Sequence, residues 1–206
     1  MPRRPIRRKS APKLLLYVLV SFGLSVTGTR LYLMLAGYPQ LDVGGLHFAH
    51  LLWGGLALVG ALLMLLIYAS PFVQNISAVL TGLGIGLFID EVGKFITRQN
   101  DYFYQPAAPI IYLCFLTIAF VYARLYRHRQ YLTEDELMCA ALEDTEGLIE
   151  GGSHMRQHDE LRATILGLRK TMRSSERIAL VDSIEKYMDS IQSLPGKSHP
   201  ATLHPS

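Results

Sequence analysis

The chain has 206 residues, of which 50% are hydrophobic and 18% are charged. Its apolar residues are concentrated between Leu14 and Tyr126, whereas the sequence from Arg127 onwards is polar and charged. Two cysteines are too few for a disulfide framework. We therefore expect a membrane part followed by a soluble part, with no disulfide-stapled domain.

The N-terminal segment, residues 1–13, contains six of the chain's Lys and Arg residues. Such a basic segment suits either nucleic acid or the anionic cytoplasmic leaflet of a membrane. Because an apolar run follows directly, the lipid bilayer is the predicted partner and no nucleic acid is expected. The run is long and no small-residue cleavage site follows Gly37, so we interpret it as a signal anchor.

Four apolar segments are each long enough for a transmembrane helix, which needs about 20 mostly apolar residues. They cover residues 14–36, 46–69, 73–97 and 107–126. Each connection between them contains Gly or Pro, residues that end helices. Strands are not expected, because an open sheet cannot satisfy its backbone hydrogen bonds in lipid. The sequence therefore predicts an all-α fold with a four-helix transmembrane bundle.

The distribution of Lys and Arg predicts the orientation of these spans, since short cytoplasmic flanks carry the excess. Basic residues precede the first span and surround the end of the last, at Arg124, Arg127 and Arg129. The loop after the first span has none, and the loop after the third has only Arg98. Both termini are therefore predicted to be cytoplasmic, which requires an even number of spans. Tyr122 and Tyr126 fit an aromatic belt at the inner interface.

Residues 127–206 are predicted to form a helical cytoplasmic tail, disordered after about residue 194. Thr133 followed by Glu136 is typical of a capping box at a helix start. Two apolar stripes at helical spacing predict two amphipathic helices. Their residues are Leu161, Ile165, Leu168 and Met172, then Val181, Ile184, Met188 and Ile191.

The predicted topology brings ionisable residues of three spans to one level in the outer leaflet. They are Arg30 of the first span, His47 and His50 of the second, and Asp90, Glu91 and Lys94 of the third. Asp101 follows in the loop just above them. Ionisable residues at membrane depth are candidates for function, and this level is where we expect a site.

Helical spacing refines this cluster. Four residues of the third span recur at intervals of four and so share one face: Gly82, Gly86, Asp90 and Lys94. A Gly-x-x-x-Gly pattern lets helices approach closely in lipid, so this face is predicted to point into the protein. Asp90 and Lys94 can neutralise each other there. Glu91 points about 100° away and needs another partner, either Arg30 or a histidine.

The second span carries further glycines, Gly54, Gly55 and Gly60, which are expected to serve close helix contacts in the same way. These glycine faces and the apolar stripes of the tail are also candidate contacts for a homo-oligomer.

A metal site is one hypothesis for the cluster. His47 and His50, three residues apart, would share a helix face and could ligate one divalent metal ion together with Glu91 or Asp90. Two alternatives stand beside it. The third span could end at Ile89, which would leave the charges at the interface with Arg30 snorkelling. The charges could also form a purely structural buried network.

Three segments resemble a group of uncharacterised bacterial multi-pass membrane proteins. They are Leu46–Gly55 (LHFAHLLWGG), Gly84–Thr97 (GIGLFIDEVGKFIT) and Asn100–Tyr104 (NDYFY). The resemblance covers about a third of the chain and none of the tail. It implies a bacterial inner-membrane location and supplies no mechanism.

Three functions fit the sequence. The first is a membrane component that binds or transports a cation or protons through the outer cluster. The second is a metal-dependent membrane enzyme acting at the outer face, although a third strong ligand and a nucleophile are not identifiable. The third is a non-catalytic scaffold or sensor acting through the tail. We favour a non-enzymatic role, and no catalytic residue or organic cofactor is predicted.

Overall fold

The computed structural model describes residues 5–35, 42–43, 46–47, 50–91, 107–128, 132–150 and 155–192. These contain seven α-helices and a two-stranded hairpin. The elements are α1 (Ala11–Leu35), β1 (Asp42–Val43), β2 (Leu46–His47), α2 (His50–Ile67), α3 (Pro71–Asp90), α4 (Ala107–His128), α5 (Glu134–Ile149), α6 (Met155–Thr171) and α7 (Ser175–Gln192). The predictions for Lys94, Asp101 and the disordered end of the tail lie outside the described residues.

The chain divides into two compact units. The apolar unit is residues 10–131, and the tail unit combines residues 1–9 with 132–206. Among the described helices, α1, α3 and α4 are long and apolar enough to cross a membrane, whereas α2 falls just below that length. The all-α class is therefore confirmed, and α1, α3 and α4 are candidate membrane spans by length and composition.

The start of the second predicted span is wrong. Leu46 begins no helix but forms β2 with His47, and these residues pair antiparallel with Val43 and Asp42. The Gly-Gly dipeptide between the two strands in the sequence is typical of a tight hairpin, a signal that hydropathy does not register. Because α2 begins only at His50, His47 and His50 do not share a helix face as predicted.

The third predicted span begins earlier and ends earlier than expected. The Ser70 hydroxyl accepts a hydrogen bond from the Val73 N–H at 3.2 Å, and Pro71 occupies the first turn, where its missing N–H has no cost. The helix ends at Asp90, with Glu91 as its C-cap. The charged pair therefore lies at the end of α3 rather than within it.

Glycines of α3 place its backbone directly against α1. A Cβ atom at Gly82 would collide with the Ser21 hydroxyl and the Val18 carbonyl. At Gly86 it would lie 2.7 Å from the Ser25 Cβ. No side chain fits at either position, so the prediction that this Gly-x-x-x-Gly face serves a close helix contact is confirmed, with α1 as the partner.

The contacts of α3 also define helix directions. The residue numbers of the contacting pairs increase together along α1 and α3. The pairs are Ser21 with Gly82, Ser25 with Gly86, and Arg30 with Asp90. Along α2 the order is reversed: Leu51 with Glu91, Gly54 with Phe88, and Leu58 with Gly84. Helices α1 and α3 therefore run in the same direction, and α2 runs opposite to both.

The contact between α2 and α3 is also too close for a side chain at its glycines. A Cβ at Gly54 would lie 2.8 Å from the Gly84 carbonyl oxygen, and a Cβ at Gly84 would lie 2.8 Å from that of Gly54. The prediction of close contact is confirmed for Gly54. It is wrong for Gly55 and Gly60 as far as the described residues go, because none of these lies within 4 Å of a Cβ built there.

Helix α4 completes the apolar unit by packing on α1. The rings of Phe115 and Phe22 are 6.0 Å apart, and the edge of Phe115 also faces Gly23. Phe22 is almost fully buried and lies on α1 between the residues that meet α3. Helix α1 is thus in contact with both α3 and α4.

The tail unit has its own hydrophobic core, formed by one face of each of its three helices. It contains the predicted stripe residues Leu161, Ile165, Leu168, Val181, Ile184 and Met188, joined by Ala141 and Leu148. The capping box is also present, since the Thr133 N–H donates to a Glu136 carboxylate oxygen at 2.9 Å. This hydrogen bond, with the charge of Arg7, lowers the pKa of Glu136.

The first residues of the chain belong to the tail unit through one polar contact. The Lys9 ammonium donates to an Asp144 carboxylate oxygen at 2.6 Å and to the Thr164 hydroxyl at 3.0 Å. The Lys9 and Asp144 side chains are only 18% and 13% exposed, so the pair is shielded from solvent screening. The N-terminal segment is thereby held on the tail helices.

The neighbouring glycines of α2 provide a matched test of this packing. We expect Gly54→Ala to destabilise the chain by about 1–3 kcal/mol, because the added methyl group meets backbone atoms of α3. Gly55→Ala should leave stability unchanged, since its methyl group enters open space. The measurement is unfolding of the full chain in detergent micelles. Equal effects of the two substitutions would contradict the packing.

Candidate functional site

Asp90, at the last turn of α3, pairs with Arg30 of α1. The Arg30 Nε donates to a carboxylate oxygen of Asp90 at 2.8 Å. The Asp90 side chain is 12% exposed, while half of the Arg30 side chain is accessible. A lone charge costs about 2.5–3.5 kcal/mol at the bilayer centre on insertion scales, and pairing offsets such a cost. Among the described residues, the partner of Asp90 is thus Arg30; the predicted pair with Lys94 lies outside them.

Glu91 takes a different partner, the start of α2. Its carboxylate accepts a hydrogen bond from the backbone N–H of Leu51 at 2.6 Å. Leu51 is the second residue of α2, where N–H groups have no partner within the helix. The carboxylate therefore caps α2 and complements the positive end of its dipole. The residue is only 5% exposed.

Helix geometry explains why two adjacent carboxylates reach two different helices. Asp90 is four residues beyond Gly86 and continues the glycine face that touches α1. Glu91 is seven residues beyond Gly84 and continues the face that touches α2. Each glycine contact brings a neighbouring helix close enough for the carboxylate at the end of that face to reach it. We call Arg30, Asp90 and Glu91 the polar cluster.

The polar cluster bears on the alternatives left open by the sequence. The end of α3 at Asp90 favours a position towards the membrane surface, as expected if the span stops at Ile89. The burial and pairing of both carboxylates, however, differ from charges that simply face lipid headgroups. The described residues therefore form an ordered network that joins three helices.

The predicted metal ligands are only partly described. His47 belongs to β2 and His50 begins α2, but their side chains lie outside the described part of the structure. Within that part, no group of three His, Cys, Asp or Glu residues is arranged to hold a metal ion. Glu91 does contact the residue that follows His50. A metal site at His47, His50, Glu91 and Asp90 stays a prediction.

Buried polar side chains of the bundle were missed by the sequence reasoning. Ser21 and Ser25 of α1 are buried against α3, and the Ser25 hydroxyl donates to the Leu83 carbonyl oxygen at 3.1 Å. Gln74 is buried near the other end of α3, where its side-chain amide donates to the Ala69 carbonyl oxygen. The signal was present as Ser-x-x-x-Ser in α1, which is a small-residue pattern like that of the glycines.

No family model matches the chain, and neither the curated proteins nor the solved structures include a significant match.

The cap formed by Glu91 can be tested by graded substitution. Glu91→Gln keeps an acceptor oxygen but removes the charge, so we expect a loss of about 1 kcal/mol. Glu91→Ala removes both the acceptor oxygen and the charge and leaves the Leu51 N–H without this partner. We expect it to lower stability by about 1–3 kcal/mol. Hydrogen exchange of the amides at the start of α2 measures the effect. Unchanged exchange in Glu91→Ala would show that the carboxylate does not cap α2.

Proposed function

We propose that this chain is a bacterial inner-membrane protein with four spans and cytoplasmic termini, whose polar cluster binds protons or a cation in the outer leaflet. The observation that carries the site is the ordered arrangement of two carboxylates and one arginine at the end of α3.

The direction of the helices supports four spans. If α1 and α3 both cross the membrane and run the same way, the chain between them must return across it. Helix α2 runs in the required direction, contains no charged residue and, at 18 residues, is about 27 Å long. That length is at the lower limit for a span, against a hydrocarbon core of about 30 Å. Together with α4, the helices α1, α2 and α3 make four spans.

The tail unit supports the orientation independently. Lys9, which lies two residues before α1, is bound to Asp144 after the last span. Residues joined in this way lie on the same side of a membrane, so the number of spans between them is even. The basic N-terminal segment makes that side the cytoplasm. Helix α3 then runs outwards, and its C-terminal polar cluster lies in the outer leaflet.

The charges of the polar cluster favour a cationic ligand. The described ionisable groups of the cluster are two carboxylates and one guanidinium, and carboxylates are the groups through which a membrane protein takes up protons or a cation. A proton on Glu91 would remove the charge that caps α2, so protonation is coupled to the start of that helix. Carboxylates with this kind of partnership serve as proton relays in membrane proteins. Lys94 and Asp101 are expected to extend the cluster.

Proton flux through the reconstituted full chain tests this function. Liposomes loaded with a pH-sensitive dye and driven by a potassium diffusion potential should acidify faster with the protein than without it. Glu91→Gln and Asp90→Asn should each lower the rate by at least about tenfold, the scale of a 1.4 kcal/mol barrier change. The matched control is Asp189→Asn, an exposed carboxylate of the tail. Wild-type flux in both cluster variants would contradict the proposal.

A metal-dependent enzyme acting at the outer face is the second candidate. The contact between Glu91 and Leu51 favours this candidate, because the contact brings a carboxylate to the helical turn that begins with His50. His47 and Asp90 would complete the ligand set for a divalent metal ion, which would activate water. Metal content of the purified chain, compared between wild type and His47→Ala, separates this candidate from proton binding.

The scaffold or sensor function rests on the tail unit. The tail helices share a hydrophobic core of their own. Lys9, just before α1, donates a hydrogen bond to Asp144 of the tail. An assembly role would use surfaces that the chain leaves open. These include the tail helices and the glycines with no near neighbour, Gly28, Gly55 and Gly60, since Gly54, Gly82, Gly84 and Gly86 are occupied within the chain.

A further inference from the structure

The C-terminal end of α4 carries a basic recess that has no role in the polar cluster. It is lined by Phe120, Ala123, Arg124, Arg127 and His128 and has a volume of about 210 Å³. Pockets for drug-sized ligands usually measure about 300–1,000 Å³, so the recess suits a smaller charged group. Two guanidinium groups and an imidazole lie on one side of the helix at its end.

The recess faces away from the helix bundle. Phe115 packs on α1, and Tyr122 and Tyr126 lie on the same side of α4 as Phe115 at about 100° per residue. Arg124 and Arg127 lie on the opposite side and are exposed. The centroids of the two tyrosine rings are 5.8 Å apart, at the position predicted for the inner aromatic belt. The basic side of α4 therefore points towards lipid.

An apolar stripe leads along the same side of α4 to the recess. Leu113, Leu116 and Phe120 are each more than half exposed and follow one another at helical spacing before Arg124. The stripe offers an apolar surface within the span and a positive charge at its end. This order matches a phospholipid, in which acyl chains lie below a phosphate group.

The charges of the recess are also unopposed. Neither Arg124 nor Arg127 forms an ion pair with a described acidic residue. Arginine binds phosphate oxygens in bidentate fashion, which gives a fixed phosphate position rather than diffuse attraction.

We propose that Arg124 and Arg127, with His128, form a binding site for the phosphate of an anionic phospholipid whose acyl chains lie along Leu113, Leu116 and Phe120. The ligand is a lipid rather than free phosphate because the apolar stripe continues directly from the charged end. The site requires only that α4 spans the membrane and does not depend on ion binding by the polar cluster.

Native mass spectrometry of the full chain in uncharged detergent, titrated with dioleoylphosphatidylglycerol, tests the site. We expect retention of one lipid in the wild type and an affinity loss of about fivefold per arginine in Arg124→Gln/Arg127→Gln. The matched control is Lys170→Gln/Arg173→Gln, which removes two charges from exposed residues of the tail unit. The control should keep the wild-type affinity. Arg124→Lys/Arg127→Lys, which preserves the charges but not the bidentate geometry, should bind the lipid more weakly than the wild type and more tightly than the glutamine variant.

Four outcomes would overturn the site. Equal losses in the glutamine variant and the control would reduce it to general electrostatic attraction. Equal retention of a zwitterionic phosphatidylcholine would show no selectivity for an anionic headgroup. Displacement of the lipid by inorganic phosphate would make the ligand a free anion. Equal losses in the lysine and glutamine variants, with folding verified by circular dichroism, would show that positive charge does not contribute to binding.

Discussion

The rest of the structure depends on the backbone contact between α1 and α3. Gly82 and Gly86 leave no room for a side chain, and Ser21 and Ser25 of α1 fill the space that remains. In lipid, where apolar side chains gain little by leaving their surroundings, such close packing and interhelical hydrogen bonds supply the attraction between helices. The Ser25 hydrogen bond to Leu83 adds to it. The contact fixes both the register and the direction of α1 relative to α3.

The register positions the polar cluster. Because α1 and α3 run the same way, Arg30 reaches the end of α3 at Asp90, one helical turn beyond Gly86 on the same face. The second glycine contact, between Gly54 and Gly84, does the same for α2 and brings its first turn to Glu91. The two carboxylates are adjacent in sequence but are held by different helices. Altering either one is therefore expected to affect a different helix contact.

The sequence predicted the parts of the fold that depend on local pattern. Hydropathy located all four apolar helices, and spacing of four residues identified the face of α3 that carries Gly82, Gly86 and Asp90. The stripes of the tail and its capping box were predicted for the same reason.

The sequence could not predict partners that come from other helices. Lys94 was an equally reasonable partner for Asp90 by spacing, and the cap on α2 requires the register of two helices to be known. Gly55 and Gly60 could not be distinguished from Gly54, because a glycine pattern does not tell which side of α2 faces α3. The hairpin at Leu46 was missed because apolar strand residues and apolar helix residues look alike over two positions.

The account is tested most directly by determining on which side of the membrane α3 and α4 each begin. Single cysteines at Ala69, before α3, and Ala108, at the start of α4, are exposed positions for labelling with a membrane-impermeant maleimide in intact cells. The background would carry Cys114→Ser and Cys139→Ser. Four spans predict labelling at Ala108→Cys from outside and at Ala69→Cys only after permeabilisation. The reverse pattern, which follows if α2 does not cross the membrane, would contradict the account.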